Sequence, residues 1–250
     1  LFSVVSKRLQ SNIQQFSLEN IEIVVNAFCR LNIQDQLLKK TIADQIFNYS
    51  KEFQSDKAFR FFQYGFDWSI EEERYYAFLE EVIELKDLDG QALFILLQGC
   101  KKSFSSNRFI ENLCHELWVK MDDLKSFELI ETVSLCDRLD LKDHPLLEMI
   151  GHKMRTRLSF LKKAELIRFV KSYSNCFSSD SYLFQNVQKE MIQRISLFTP
   201  SEVIGLCLSI LKKDDLKDFV VEPLTHYFIL HFDEMKGDEL ICLLSIFQKF

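Results

Sequence analysis

Five cations recur at one place along the chain. Arg30, Lys102, Arg138, Lys212 and Lys249 are separated by 72, 36, 74 and 37 residues, and Asp67 and Asn175 fill the two places between them. Four residues before each of these seven stand Asn26, Gln63, Gln98, Ser134, Lys171, Leu208 and Ser245. On a helix, residues i and i+4 share a face. A cation holds a phosphate without reading sequence, whereas an amide or hydroxyl can bond a base edge. A row of cations beside a row of hydrogen-bonding groups therefore suits a single RNA strand. Five phosphate contacts would give a log–log salt slope of about −3 to −4. The two rows predict RNA contacts at Asn26, Arg30, Gln63, Gln98, Lys102, Ser134, Arg138, Lys171, Lys212 and Lys249. A plainer origin exists for the cation row. The last turn of a helix favours Lys and Arg by a few tenths of a kcal/mol through the helix dipole. That origin accounts less well for the row of amides and hydroxyls, and Asp67 and Leu208 interrupt the ladder.

Other chemistry has less in its favour. The seven cysteines form no Cys-x-x-Cys pair, and their odd number argues against a disulfide framework and for a reducing compartment. The five histidines form no His-Glu-x-x-His motif and have no zinc spacing with cysteine. Glu71, Glu72 and Glu73 read as the solvated opening of a helix rather than a catalytic acid pair. No glycine-rich phosphate loop and no Gly-x-Ser-x-Gly occurs. The reading is a protein that is not an enzyme and needs no cofactor or metal. The longest apolar run is Ala92 to Leu97, too short to span a bilayer. With a net charge of −6 the chain is no polybasic binder, so any RNA contact needs a local basic stripe.

The elements that must position these rows follow from a repeat. Taking Phe16, Phe53, Leu88, Leu124, Leu161, Phe198 and Met235 as anchors gives steps of 37, 35, 36, 37, 37 and 37 residues. Five residues past the anchors, and again nine past, every residue from Ile21 and Val25 to Leu240 and Leu244 is apolar. Seven apolar residues in a row arise by chance in fewer than about one column in a hundred. Three further apolar columns lie 22, 26 and 30 past the anchors, as in Leu38, Ile42 and Ile46, or Ile110, Cys114 and Trp118. Steps of four place each set on one helical face. Each unit is thus two amphipathic helices, A then B, with the candidate contacts on A.

Gly (6) and Pro (3) are scarce, which also disfavours an all-β fold with its many turns. Asp35, Asn107, Asp143 and Asp180 stand 19 past their anchors as predicted caps of helix B. Thr199-Pro200-Ser201-Glu202 reads as a capping box with Pro in the first turn. Pro223 should bend the last helix B or displace its start.

The expected fold is all-α: a right-handed α-solenoid of helix-pair repeats, period about 37 residues. A single array would run over 1–250, with a half unit at 1–15, units starting near 16, 53, 88, 124, 161 and 198, and a half unit at 235–250. Neither end has the polar face of a capping repeat, so a longer array, or neighbouring protein subunits, is expected to cover the ends.

The stretch SLENIEIVVNAFCRLNIQDQLLKKTIADQI and the period resemble heptatricopeptide and octotricopeptide repeats. They are also similar to the helical repeats of FAST-kinase-type proteins that carry a RAP domain. The resemblance rests on the apolar columns, on Arg30-Leu31 and Arg138-Leu139, and on Asp35 and Asp143. It implies an organellar, usually mitochondrial, protein acting on single-stranded or ribosomal RNA. It carries over no residue with an accepted role. The acidic balance favours a subunit of a larger ribonucleoprotein, such as a mitochondrial ribosome, with RNA on one face. The alternative is a protein–protein scaffold without direct RNA contact, its groove holding a partner helix or peptide.

Overall fold

The computed structural model describes residues 2–70, 73–101, 105–177, 181–212 and 216–248. Among them the protein is all-α, with no strand. Its contacts divide it into two compact units, 1–123 and 124–250, and the division falls at the anchor Leu124.

The first unit holds α1 (Phe2–Asn12), α2 (Leu18–Arg30), α3 (Gln36–Ile46), α4 (Ser55–Asp67), α5 (Glu73–Val82), α6 (Gly90–Gly99) and α7 (Asn107–Val119). The A helices α2, α4 and α6 pack in succession, as do the B helices α1, α3 and α5. The second unit holds α8 (Ser126–Leu139), α9 (Pro145–Arg155), α10 (Lys163–Cys176), α11 (Ser181–Gln193), α12 (Pro200–Leu211), α13 (Asp218–Leu230) and α14 (Gly237–Phe247). There the A helices α8, α10, α12 and α14 form one row and the B helices α9, α11 and α13 another.

Burial follows the columns. Ile21, Ala58, Leu93, Leu129, Leu166 and Val203 are each fully buried, as are Val25, Phe62, Leu97, Val133, Val170 and Cys207 to within 1%. In the last helix the column ends: Leu244 is 65% exposed. One B helix departs from its expected register. In α7 the buried residues are Phe109, Ile110, Leu113, Cys114 and Leu117, while Trp118 is 41% exposed. The missing residue of the 36-residue unit therefore lies ahead of α7, in the loop from α6. It shifts the whole helix by one place, so Leu117, not Trp118, is the counterpart of Ile46.

The caps are corrected in the same way. Asp35 caps α3 as expected, accepting from Leu38 N at 2.9 Å. Asn107 does not cap α7; Ser106 does, accepting from Phe109 N at 3.2 Å, because of that one-residue shift. Asp143 does not cap α9 either. Pro145 occupies the first helical position, where a missing N–H costs nothing, so His144 becomes the cap and accepts from Leu146 N at 3.2 Å. Asp143 adopts φ 52° and donates its N–H to Cys176 O at 2.8 Å. Asp180 and the proposed opening at Glu71 and Glu72 lie outside the described residues.

The capping box at Thr199 forms as read: Thr199 N donates to Glu202 Oε2 at 2.8 Å and Glu202 N to Thr199 Oγ1 at 3.4 Å. Glu128, Glu165 and Glu239 accept from Lys125, Lys162 and Lys236 N in the same manner, at 2.7, 2.8 and 2.8 Å. Helix α13 starts at Asp218, five residues before Pro223, and continues through it.

A further device recurs within both units. Short 3-10 turns at Ile13–Gln15, Leu85–Asp87, Leu158–Phe160, Ile195–Leu197 and Phe232–Glu234 each end at an extended anchor residue. Carbonyls of these connectors that are withdrawn from water need donors. Arg194 donates to Leu161 O at 2.7 Å and Leu158 O at 3.4 Å. Tyr227 Oη donates to Phe198 O at 2.6 Å, Lys120 Nζ to Lys86 O at 2.6 Å and to Leu88 O, and Tyr49 Oη to Phe16 O.

Candidate nucleic-acid interface

The predicted contacts lie near the C-terminal ends of the A helices, where the polar face of each amphipathic helix turns outward. In the first unit, Asn26 and Arg30 belong to α2, Gln63 to α4 and Gln98 to α6. Arg30 is exposed and the three amides are half-buried. Asp67 ends α4, and partial burial raises its carboxyl above the usual range. Burial, and then the charge of Asp67, push the neighbouring Cys29 thiol up to about 11, which leaves it protonated and a poor nucleophile at neutral pH. A second acid lies on the same helices: Glu22 of α2 pairs with Arg60 of α4 at 3.0 Å. Lys102 lies outside the described residues, so Arg30 is the one predicted cation described in this unit.

The second unit carries more of the pattern. Arg138, Lys171 and Lys212 are all exposed, on or just past α8, α10 and α12. Side chains link these helices along the row. Asn175 Nδ2 donates to Asp137 Oδ2 at 3.0 Å, and Lys212 Nζ donates to Asn175 Oδ1 at 3.1 Å. One turn earlier the hydroxyls of Ser134 and Ser172 lie 3.2 Å apart. The structure thus brings Ser134, Lys171 and Lys212 onto one surface of packed helices, with Arg138 one turn beyond Ser134. Lys249 lies outside the described residues.

Sequence reading missed the structural part of Asn175. It stood in the cation column, and a polar residue there was a sufficient signal that the column is a hydrogen-bonded seam as well as a charge row. It also missed a recess between α10 and α12. This recess has a volume of 440 Å³ and is lined by Ile167, Lys171, Glu202, Gly205, Leu208 and Lys212 among others. The interruption at Leu208 is part of its apolar floor.

Cys207 is buried, and burial pushes its thiol up to about 12. Among the described residues no group of three His, Cys, Asp or Glu side chains is placed to hold a metal ion, and no helix is long and apolar enough to cross a membrane. Compared with known proteins, the chain matches no family model and no curated sequence.

Proposed function

We propose that this chain is an RNA-binding α-solenoid, its helix pairs wound in a right-handed array, and that single-stranded or ribosomal RNA lies along the outer edge of its A helices. The observation that carries this reading is the exposed set Arg138, Lys171 and Lys212 on three successively packed A helices, next to amide and hydroxyl groups. Phosphates spaced along a strand meet such a row in turn, and bases can meet the polar groups between. The net charge of −6 fits a subunit that offers RNA one basic edge. The resemblance to organellar helical repeats extends the proposal to a mitochondrial ribonucleoprotein, with the ribosome as the specific assembly, and to neighbouring subunits that cover the ends of the array.

Binding of a fluorescein-labelled single-stranded RNA by the wild-type chain and by Arg138→Glu/Lys171→Glu/Lys212→Glu tests the interface. The expected result is loss of binding by the variant with helicity unchanged by circular dichroism. Equal binding by both proteins removes this edge from the account. Co-purification of the chain from mitochondria, with RNA and protein identified, tests the assembly.

A scaffold reading has one specific observation in its favour. Phe160, Leu197 and Phe232, in the turns that follow α9, α11 and α13, are 84%, 62% and 57% exposed. Apolar residues repeated along such a rim suit a protein partner. Failure to bind RNA at both low and high salt would select this reading.

A further inference from the structure

The recess between α10 and α12 has a counterpart one unit earlier, between α8 and α10. That earlier recess is lined by Ile130, Ala164, Glu165 and Arg168, which correspond at a 37-residue offset to Ile167, Ser201, Glu202 and Gly205. Arg168 reaches across its own recess to pair with Glu131, and the volume left is 240 Å³. Where Arg168 stands in one unit, Gly205 stands in the next, and the volume is 440 Å³. Small-ligand sites occupy about 300–1,000 Å³, so only the second recess is large enough.

Gly205 has no reason to be glycine in the free protein. It lies inside α12, and a Cβ built on it meets nothing within 4 Å. Its backbone is helical, so no positive φ demands glycine. Glycine is the poorest helix former after proline. A bare backbone without packing need in the free chain is what close approach by a ligand requires. The walls are apolar at Ile167 and Leu208, and Lys171 and Lys212 bring two ammonium groups to the opening. The Glu202 carboxylate in the lining is bonded by Thr199 N at 2.8 Å, and its charge is offset by Lys163 Nζ at 3.0 Å.

We infer that this recess receives one nucleobase of the bound strand, stacked over the bare backbone of Gly205, with Lys171 and Lys212 holding phosphates on either side. The inference rests on the RNA-binding reading above and adds to it a single defined base site. An apolar floor with a cationic rim matches a base carried between phosphates better than an uncharged peptide side chain, which brings no charge to match the two exposed ammonium groups.

The test uses the full chain and fluorescein-labelled decameric oligo(U) and oligo(A) RNA, with anisotropy read at several salt concentrations. Lys171→Glu/Lys212→Glu is expected to weaken binding tenfold or more and to reduce the magnitude of the salt slope by about 1.4, from about 0.7 per phosphate contact. Gly205→Leu fills the recess with a side chain that meets no neighbour at Cβ. It is expected to weaken binding about tenfold with the salt slope unchanged, and Gly205→Ala to fall between. If the lysine variant loses affinity while Gly205→Leu binds as wild type, the base site is overturned and the RNA-binding edge stands. If neither substitution changes binding, both fall. Displacement of RNA by an uncharged leucine-rich peptide from the wild type but not from Gly205→Leu would assign the recess to a protein side chain and overturn the inference.

Discussion

Lys212 donates from Nζ to the side-chain oxygen of Asn175 at 3.1 Å, and the two residues are 37 positions apart in sequence. Asn175 in turn donates to Asp137, 38 positions back, at 3.0 Å. In the second unit, side chains 37 and 38 positions apart are therefore direct neighbours on a shared edge. A strand laid along that edge would meet the packed helices α8, α10 and α12 in turn, and the proposed function depends on that relationship.

Gly205 should show opposite effects on stability and binding. Replacing a helix-interior glycine by alanine, where the added Cβ meets nothing, is expected to stabilise the fold by about 0.5–1 kcal/mol. Chemical denaturation of Gly205→Ala measures this, and anisotropy on the same sample should show weaker RNA binding. A destabilised Gly205→Ala would mean that the glycine serves the packing of α12 itself.

The register of α7 is open to direct measurement. Leu117 is fully buried and Trp118 is 41% exposed. Leu117→Ala should cost about 2–5 kcal/mol, as core leucine truncations do. Trp118→Ala should cost within about 1 kcal/mol. The reverse order in urea midpoints would restore the register expected from sequence.

These residues also show where sequence reading stops. Periodicity marked the buried A-helix columns because within each unit the A helices pack against one another, and alternation of burial leaves a direct trace in residue type. It put α7 out by one place because a deletion inside a loop leaves no mark on the apolar pattern: Ile110, Cys114 and Trp118 are as apolar as Phe109, Leu113 and Leu117. The caps at Ser106 and His144 were missed for related local reasons, the shifted loop and the preference of Pro145 for the first helical position. Within the candidate interface, the exposure of Arg138, Lys171 and Lys212 was legible from their place on polar faces. The recess at Gly205 was not, because an empty volume belongs to two helices at once.

Arg194 closes the connector ahead of α10 by donating to the carbonyls of Leu161 and Leu158. Arg194→Met removes both bonds and the pair with Glu190 at 3.4 Å; Leu158 O keeps the N–H of Leu161 at 3.1 Å, so Leu161 O is the acceptor that loses its donor, at a cost of about 1–3 kcal/mol. For a chain of this size each kcal/mol lowers Tm by about 2–4 °C. Arg194→Lys should recover part of the loss. A Tm equal to wild type for Arg194→Met would show that water replaces the guanidinium freely.

The box at the start of α12 predicts a pH dependence. Burial alone would raise the Glu202 carboxyl, but the bonds from Thr199 N–H and Lys163 outweigh it and hold Glu202 below the usual carboxylate range. A carboxyl whose pKa is lower folded than unfolded stabilises the fold above its ordinary, unfolded value. That contribution declines as pH falls from the ordinary range through the depressed folded value. Wild type should therefore exceed Glu202→Gln in urea midpoint at pH 7, by under about 1 kcal/mol for so accessible a pair, and the gap should close in acid. A gap that is constant from pH 7 to pH 3 would rule out the ionised box.

The most direct test of the central claim is where RNA touches the chain. Ultraviolet crosslinking of a bound single-stranded RNA, followed by mass spectrometry of the attached peptides, reads that position. Crosslinks are expected on peptides from the C-terminal halves of α8, α10 and α12, around Arg138, Lys171 and Lys212. Crosslinks confined to B-helix peptides, such as those around Phe160, Leu197 and Phe232, would contradict it.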